Sequence, residues 1–422
     1  MVKVLLFLYH VVWTFIIIIS LPLIPLTKNQ RFFERLGLGL PPASLKSKSI
    51  WIHALSVGEV ISSIPLIKSL RREYPSRDIV FTVATTQGMK IARDELEGEV
   101  AVFIPMPLDF WWSVRRIVNH IKPSIFLLIE TDIWPGLISH LKDRGVKTVL
   151  LNGRVSPRTF LSYKRFRFFS RRILNAMELC LMQSELDRER LLQVGVLPSK
   201  VKSVGNIKFD REWVPMDQKE RDYWLHHLNI KSEDRVWVAG STHEGEDEIV
   251  LEIFKRLIHH FPTLRLVVAP RRIERSEDIL RLGRIQGLKA RLRTDLHGDG
   301  VPFEVLILNT IGELERIYGI ATISFVGGTL IPIGGHNLLE PASFGCPVLF
   351  GPHTHNFILM SQLLIEAGGG KRVKDVEDLF ETMKWLLSDS EKAEIMGIRA
   401  KEVVEANRGA LKRVMGYVEI LT

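Results

Sequence analysis

Two cysteines, Cys180 and Cys346, are all that 422 residues hold, and both sit in apolar surroundings. They are too few and too far apart for a disulfide scaffold or a zinc site, and read as small core residues in a reducing compartment. No internal repeat and no low-complexity block interrupts the chain. Three signatures are missing as well: a P-loop, a G-x-G-x-x-G after a strand, and an RNA-binding aromatic motif. Their absence argues against a dehydrogenase and against nucleic acid as the partner. No Asp-x-Asp pattern suggests a bound metal. Acidic residues are in deficit, 48 against 57 Lys and Arg, for a net charge of +9. That excess suits an anionic partner: nucleic acid, a membrane surface or a phosphorylated substrate. What is present is apolar material, 46% of residues, ample for packed cores over two or three domains.

The N-terminus carries the longest apolar run. Val4–Leu26 is broken only by His10, Thr14 and Ser20. As a helix it would reach roughly 35 Å, enough to cross a bilayer, with Pro22 and Pro25 disturbing its last turn. No small-x-small cleavage site follows. Lys28, Arg31 and Arg35 come directly after it, a bias that keeps the body of the chain cytoplasmic. The run is expected to be a membrane anchor, spanning or shallowly inserted, over 1–27.

Beyond it, β-branched runs alternate with helical spacing. The apolar start of Trp51–Glu59, then Ile79–Ala84, Val100–Ile104, Ser124–Ile129, Thr148–Leu151, Glu178–Met182 and Val201–Val204 read as strands of a first sheet. A polar connection is expected over 214–234. A second α/β series then runs from Val236–Ala239 through Arg265–Ala269, Glu304–Leu308, Thr322–Val326 and Pro347–Phe350. The tail from Ser388 is helix-permissive. The pattern predicts two α/β domains with parallel sheets, 28–213 and 235–422. Polar, Gly-rich and charged residues collect at the carboxyl ends of the strands, where such sheets bind ligands. Two such domains are the architecture of the GT-B glycosyltransferases.

The turn after the first strand, Ser56-Val57-Gly58-Glu59, places Glu59 at a helix start, which favours an ionised carboxylate. Such a group can serve as a general base, or simply be a first-turn helix acid. Pro65 implies a kink or a regular helix beginning near Ser63. In IETDIWP, Glu130 ends a strand, and Asp132 either assists the same chemistry or caps a helix near Pro135. GNIKFD places Lys208, a cation for an anionic donor or a solvated lysine. In the second half, Ser241 and His243 lie in Gly240–His243, an anion cradle or a plain loop. Arg271 and Arg272 after a strand form a phosphate clamp or a surface pair. In GGHNLLEPA, Gly334–Gly335 permit close approach, and His336 and Asn337 would open a helix with free amides for a phosphate. Glu340 then accepts ribose hydroxyls, or pairs with Asn337 as a capping box. The run Tyr163–Arg172 mixes five cations with aromatics, for a membrane surface, for acceptor phosphates, or as a solvated helix face.

Seven of these stretches, in order, resemble the 3-deoxy-D-manno-octulosonic acid (Kdo) transferase family: WIHALSVGEV, IETDIWP, LNGRVS, GNIKFD, GSTHEGE, APRRIER and GGHNLLEPA, with ERLG at Glu34–Gly37. The resemblance implies a GT-B fold, CMP-Kdo as donor and co-substrate, lipid IVA as acceptor, inversion at the anomeric centre, no metal and no cofactor. It implies the general base at Glu59, transition-state stabilisation by Glu130 and Lys208, and CMP binding by Pro270, Arg271, Ile311, Gly312, Glu313, Asn337, Leu338, Leu339 and Glu340. Ser56, Gly58, Ser241 and His336 would be secondary. Arg272 departs from the His of many relatives. It further implies a bacterial inner-membrane enzyme with its catalytic domains on the cytoplasmic side. Two readings compete: transfer of another sugar to another membrane lipid, and a membrane-anchored nucleotide-binding protein without catalysis.

Overall fold

The computed structural model describes residues 2–20, 30–41, 45, 48–211, 213–296 and 301–421. The chain forms two compact units, each built on a seven-stranded parallel sheet. In the first unit the order is β3-β2-β1-β4-β5-β6-β7, with β1 (Ser49–Ala54), β2 (Ile79–Val83), β3 (Val102–Pro105), β4 (Pro123–Ile129), β5 (Lys147–Gly153), β6 (Leu179–Met182) and β7 (Val201–Ser203). In the second unit the order is β10-β11-β9-β8-β12-β13-β14, with β8 (Arg235–Thr242), β9 (Leu264–Pro270), β10 (Ala290–Leu292), β11 (Val305–Ile307), β12 (Ile323–Val326), β13 (Val348–Phe350) and β14 (Gly370–Arg372). The first strand of the first sheet, β1, pairs with both β2 and β4, and the first strand of the second, β8, with both β9 and β12. The strand order therefore reverses at β1/β4 and at β8/β12, where doubly wound sheets bind ligands.

The strands are apolar almost throughout because both faces of each sheet are covered. In β1, Ile50, Ile52 and Ala54 join one buried cluster, while Trp51 joins the opposite one beside Phe126. Two strands are not foreshadowed in the sequence, β10 and β14, each three residues long and carrying a basic residue. Their residues, ARL and GKR, hold no run of apolar side chains to mark a strand.

The structure corrects two expectations and decides a third between its alternatives. Residues 407–422 group with the first unit, not the second. The helix Ala410–Glu419 buries Ala410, Val414 and Val418 in the first core. Asp210 accepts from the amides of Gly409 (2.5 Å) and Leu411 (2.7 Å) and ties it there. The expected connection 214–234 is largely folded into the second unit: Leu225 in the helix Gln218–His227, and Leu228 and Ile230 just after it, are buried in that core. Finally, one helix, Val57–Glu73, runs through Pro65 and does not begin near Ser63. The N-cap Ser56 starts it earlier, and the hydroxyls of Ser62 and Ser63 add bonds to the carbonyls of Glu59 and Val60 just before the proline.

At the N-terminus, Val2–Ser20 is helical. Leu6, Trp13 and Ile17 pack on the first unit, and Tyr9 donates to Asp109 at 2.7 Å. Phe7, Val12, Phe15 and Ile19 are exposed. Among the described residues no helix is long and apolar enough to cross a membrane. The expected end of the anchor at Pro22, Pro25 and Leu26, and the flanking Lys28, lie outside the described residues.

Candidate active site

In the first unit three motifs meet at the carboxyl edge of the sheet. Glu59 follows β1 at the third position of its helix. Leu55 N donates to Oε2 at 2.5 Å, Ser56 Oγ to Oε1 at 3.3 Å, and Glu59 N to Ser56 Oγ at 3.4 Å. Ser56 and Glu59 therefore bond reciprocally around the helix start, in the manner of a capping box. The same carboxylate is 7% exposed and close enough to Glu130, Asp132 and Lys208 to feel their charges.

Burial pushes the Glu59 carboxyl up to about 7, helped by Glu130 and less by Asp132, against the Leu55 amide and Lys208. The expected preference for ionisation at the helix start is outweighed, because desolvation penalises the charged form. Near neutral pH this group exchanges a proton readily, as a general base must.

Glu130 leaves β4 with φ +58°, held by its amide on Leu151 O at 2.8 Å. Its Oε1 receives Lys208 Nζ at 2.6 Å. Lys208 sits on the short 3-10 turn Ile207–Asp210, pinned by Asn206 Oδ1 (3.0 Å) and, through Ile207 N, by Asn152 Oδ1 (3.1 Å). Asn152 belongs to LNGRVS, and through this bond that motif seats the lysine turn. Asp132 does not cap the helix Pro135–Asp143. Asp109 does, accepting from Gly136 N (2.8 Å) and Leu137 N (2.6 Å). Asp132 Oδ2 accepts Trp134 Nε1 at 2.8 Å and faces His53 Nε2 at 3.4 Å.

Three further residues belong to this edge, and sequence pattern did not mark them as part of it. Arg31 Nη2 donates to the carbonyls of Val83 (3.0 Å) and Ala84 (2.5 Å), and Arg35 Nε to Met106 O (3.0 Å). Both bring a cation to the ends of β2 and β3. His53 is fully buried within β1. Its signal was a lone histidine in an otherwise apolar strand.

In the second unit, Ser241 (φ +58°) sits at a break in the β8/β9 register. His243 and His336 stack, their Nε2 atoms 2.7 Å apart. Burial, then the charges of Arg271 and His243, pushes His336 down to about 4. Burial lowers His243 as well. Both rings are thus neutral near pH 7, in complementary tautomers. Arg271 is exposed at the end of β9, its amide on Thr242 O at 2.9 Å, next to buried Pro270. Glu246 ties the β12 loop down, accepting from the amides of Gly328 (2.6 Å), Thr329 (3.0 Å), Leu330 (2.9 Å) and His243 (3.1 Å).

In the GGHNLLEPA stretch the helix opens later than expected, and of the two roles for Asn337 and Glu340 the capping one is made. Its helix is only Leu339–Ser343. Asn337 Oδ1 takes the Leu339 amide (3.1 Å) and Asn337 Nδ2 reaches Glu340 Oε1 (3.1 Å), so the pairing is a capping one and Leu339's amide is not free for a phosphate. Leu338 and Leu339 are buried. Gly334 (φ +106°) takes a left-handed backbone that would strain any residue with a side chain. Ile311 is 85% exposed, beside Gly312. Glu313 is engaged by Arg293 Nη2 (3.0 Å) and by the Thr310 hydroxyl. The helices Leu314–Tyr318 and Leu339–Ser343 pack together, which makes the Glu313 and Glu340 stretches neighbours. Among the described residues no group of three His, Cys, Asp or Glu gathers as a metal site.

The sequence model described as 3-deoxy-D-manno-octulosonic-acid transferase matches residues 30–211. A 3-deoxy-D-manno-octulosonic acid transferase of Haemophilus influenzae is 33% identical over 399 residues, 93% of this chain and 91% of that one. One of Aquifex aeolicus is 31% identical over 386 residues, 89% and 99% of the two chains. Among solved structures, a glycosyltransferase from Rickettsia africae superposes with TM-score 0.62 at 12% identity, covering 89% of this chain and 99% of that one. The S. aureus MnaA–UDP co-structure superposes with TM-score 0.60 at 14% identity, covering 88% and 96%. These likenesses support the GT-B fold.

Proposed function

Because this chain belongs to the Kdo transferase family, we propose that it moves Kdo from CMP-Kdo to lipid IVA with inversion, at the cytoplasmic face of a bacterial inner membrane. The observation that carries the reading is Glu59: a buried carboxyl poised at about 7, at a strand-order reversal, beside the Glu130–Lys208 pair. Glu59 takes the proton of the acceptor hydroxyl as that oxygen bonds to the anomeric carbon. The bond from that carbon to the phosphate oxygen breaks, and CMP leaves with the electron pair. Lys208, held by Glu130, stabilises charge in the transition state. In the second unit Arg271 contacts the donor phosphate, and the stretches Ile311–Glu313 and Asn337–Glu340 receive the nucleoside. CMP-Kdo is a co-substrate; no cofactor, metal or nucleic acid enters the reading.

Membrane attachment rests on two exposed surfaces. One is the outer face of Val2–Ser20, as a shallow insertion. The other is the Tyr163–Arg172 segment, which is broken at Phe166 between the helices Pro157–Arg165 and Arg167–Ala176. It exposes Phe166 and Phe168 among Lys164, Arg165, Arg167, Arg171 and Arg172.

The test is transfer to lipid IVA from CMP-Kdo generated in situ, with products resolved by mass, for wild type and Glu59→Ala. The reading expects added Kdo with wild type and none with the variant, while CMP still binds. No product from a wild-type enzyme that binds CMP would overturn the acceptor. Undiminished turnover by Glu59→Ala would remove the base.

A further inference from the structure

His53 makes few polar contacts, and all of them constrain its protons. Nδ1 lies 2.9 Å from the Thr82 carbonyl oxygen and 3.0 Å from Thr82 Oγ1. A carbonyl only accepts, so Nδ1 carries a hydrogen. The Thr82 hydroxyl is occupied: it donates to Ile52 O at 3.2 Å and accepts from Trp51 Nε1 at 3.0 Å. On the other side of the ring, Nε2 faces Asp132 Oδ2 at 3.4 Å. A bare ring nitrogen and a carboxylate oxygen would repel across that gap. A fully buried imidazolium without a partner would be prohibitive, and Asp132 is the partner.

We propose that His53 and Asp132 share a proton, with His53 as the imidazolium, and that this couple keeps Glu59 available as a base. His53 is thus a positioning residue acting through Asp132. The inference rests on the reading of Glu59 given above. The charged and titratable groups facing Asp132 are His53, Arg35, Glu59 and Tyr163. Those facing Glu59 are Glu130, Lys208 and Asp132. Three carboxyls thus crowd one edge, and the proton on His53 compensates the third. Asp132 is also the accessible end of the couple. Its side chain is 21% exposed and lines a groove of about 450 Å³ with Thr131, Tyr163, Phe166, Phe169 and Ile173.

Two measurements on the full chain in detergent micelles test this. The first is 15N NMR of histidine-labelled protein at pH 7.5, with His53 assigned by its loss in His53→Gln. Hydrogens on both ring nitrogens are expected in wild type and on one in Asp132→Asn. A single ring hydrogen in wild type would overturn the shared proton. The second is the acid limb of kcat/KM against pH. His53→Gln leaves Asp132 uncompensated and should move the limb up by roughly one pH unit, while Asp132→Asn, which releases the His53 proton together with the carboxylate charge, should leave it near wild type. The double variant should return near wild type. A limb unmoved by His53→Gln would overturn the coupling to Glu59, and should that variant not fold, a limb displaced by a full unit in Asp132→Asn would overturn it as well. Should Glu59→Ala keep its activity, the reading of the base falls while the NMR result still decides the proton couple.

Discussion

Replacing Glu59 by Gln should separate two consequences of one buried carboxyl. In the folded chain its proton affinity rises from the ordinary 4.5 to about 7, chiefly through burial. A group whose folded value is raised binds more protons folded than unfolded between those two limits. Its contribution is therefore fully present below pH 4.5 and is lost as pH rises through 7. The shift corresponds to about 3 kcal/mol lost by wild type above pH 7. Gln does not titrate and escapes that loss. It keeps a neutral oxygen for the Leu55 amide, as the protonated carboxyl does. The expected result is an enzyme without turnover whose unfolding free energy exceeds wild type by about 3 kcal/mol at pH 8.5 and matches it within about 1 kcal/mol at pH 4. Urea unfolding of both proteins from pH 4 to pH 9 measures this. A difference that stays constant across that range would refute the argument, because it would mean that Glu59 titrates alike folded and unfolded.

Lys208→Met removes a charge that pulls Glu59 down, and the acid limb of kcat/KM should rise by roughly one pH unit; a limb that falls would contradict the placement. Arg271→Ala should weaken CMP binding by about tenfold or more in calorimetry, and unchanged affinity would count against the phosphate contact. Glu246→Ala strands four amide contacts at a fully buried position and should destabilise the second unit by about 3–5 kcal/mol, read as faster proteolysis of that unit alone. Removing residues 2–20 should cut co-sedimentation with anionic vesicles; full retention would assign attachment to the Tyr163–Arg172 surface.

Much of this was legible in the residues. Parallel strands buried on both faces announce themselves as β-branched runs, so twelve of the fourteen strands could be read. Glu59 and Glu130 could be picked out because each follows an apolar run, and strand ends are where a doubly wound sheet puts its chemistry; Lys208 came with the GNIKFD motif. The family resemblance rested on local motifs, which the sequence holds in full.

What local pattern cannot carry is who meets whom. Ala410–Glu419 looked like part of the second domain because it follows it in sequence, yet three buried side chains and Asp210 hold it to the first. Asn337 and Glu340 fitted two roles at one spacing, and only the position of the Leu339 amide chose capping. Periodicity and turn chemistry act over a few residues. They were therefore enough to specify two parallel α/β sheets, the polar carboxyl edges and the residue types available there. The proton chemistry came from the assembled sheet. The affinity of Glu59 depends on burial and on charges from the end of β4 and the Lys208 turn, and the His53–Asp132 contact spans 79 positions of chain. Desolvation and Coulomb forces depend on distance in space, and the distances arise only when the sheet closes.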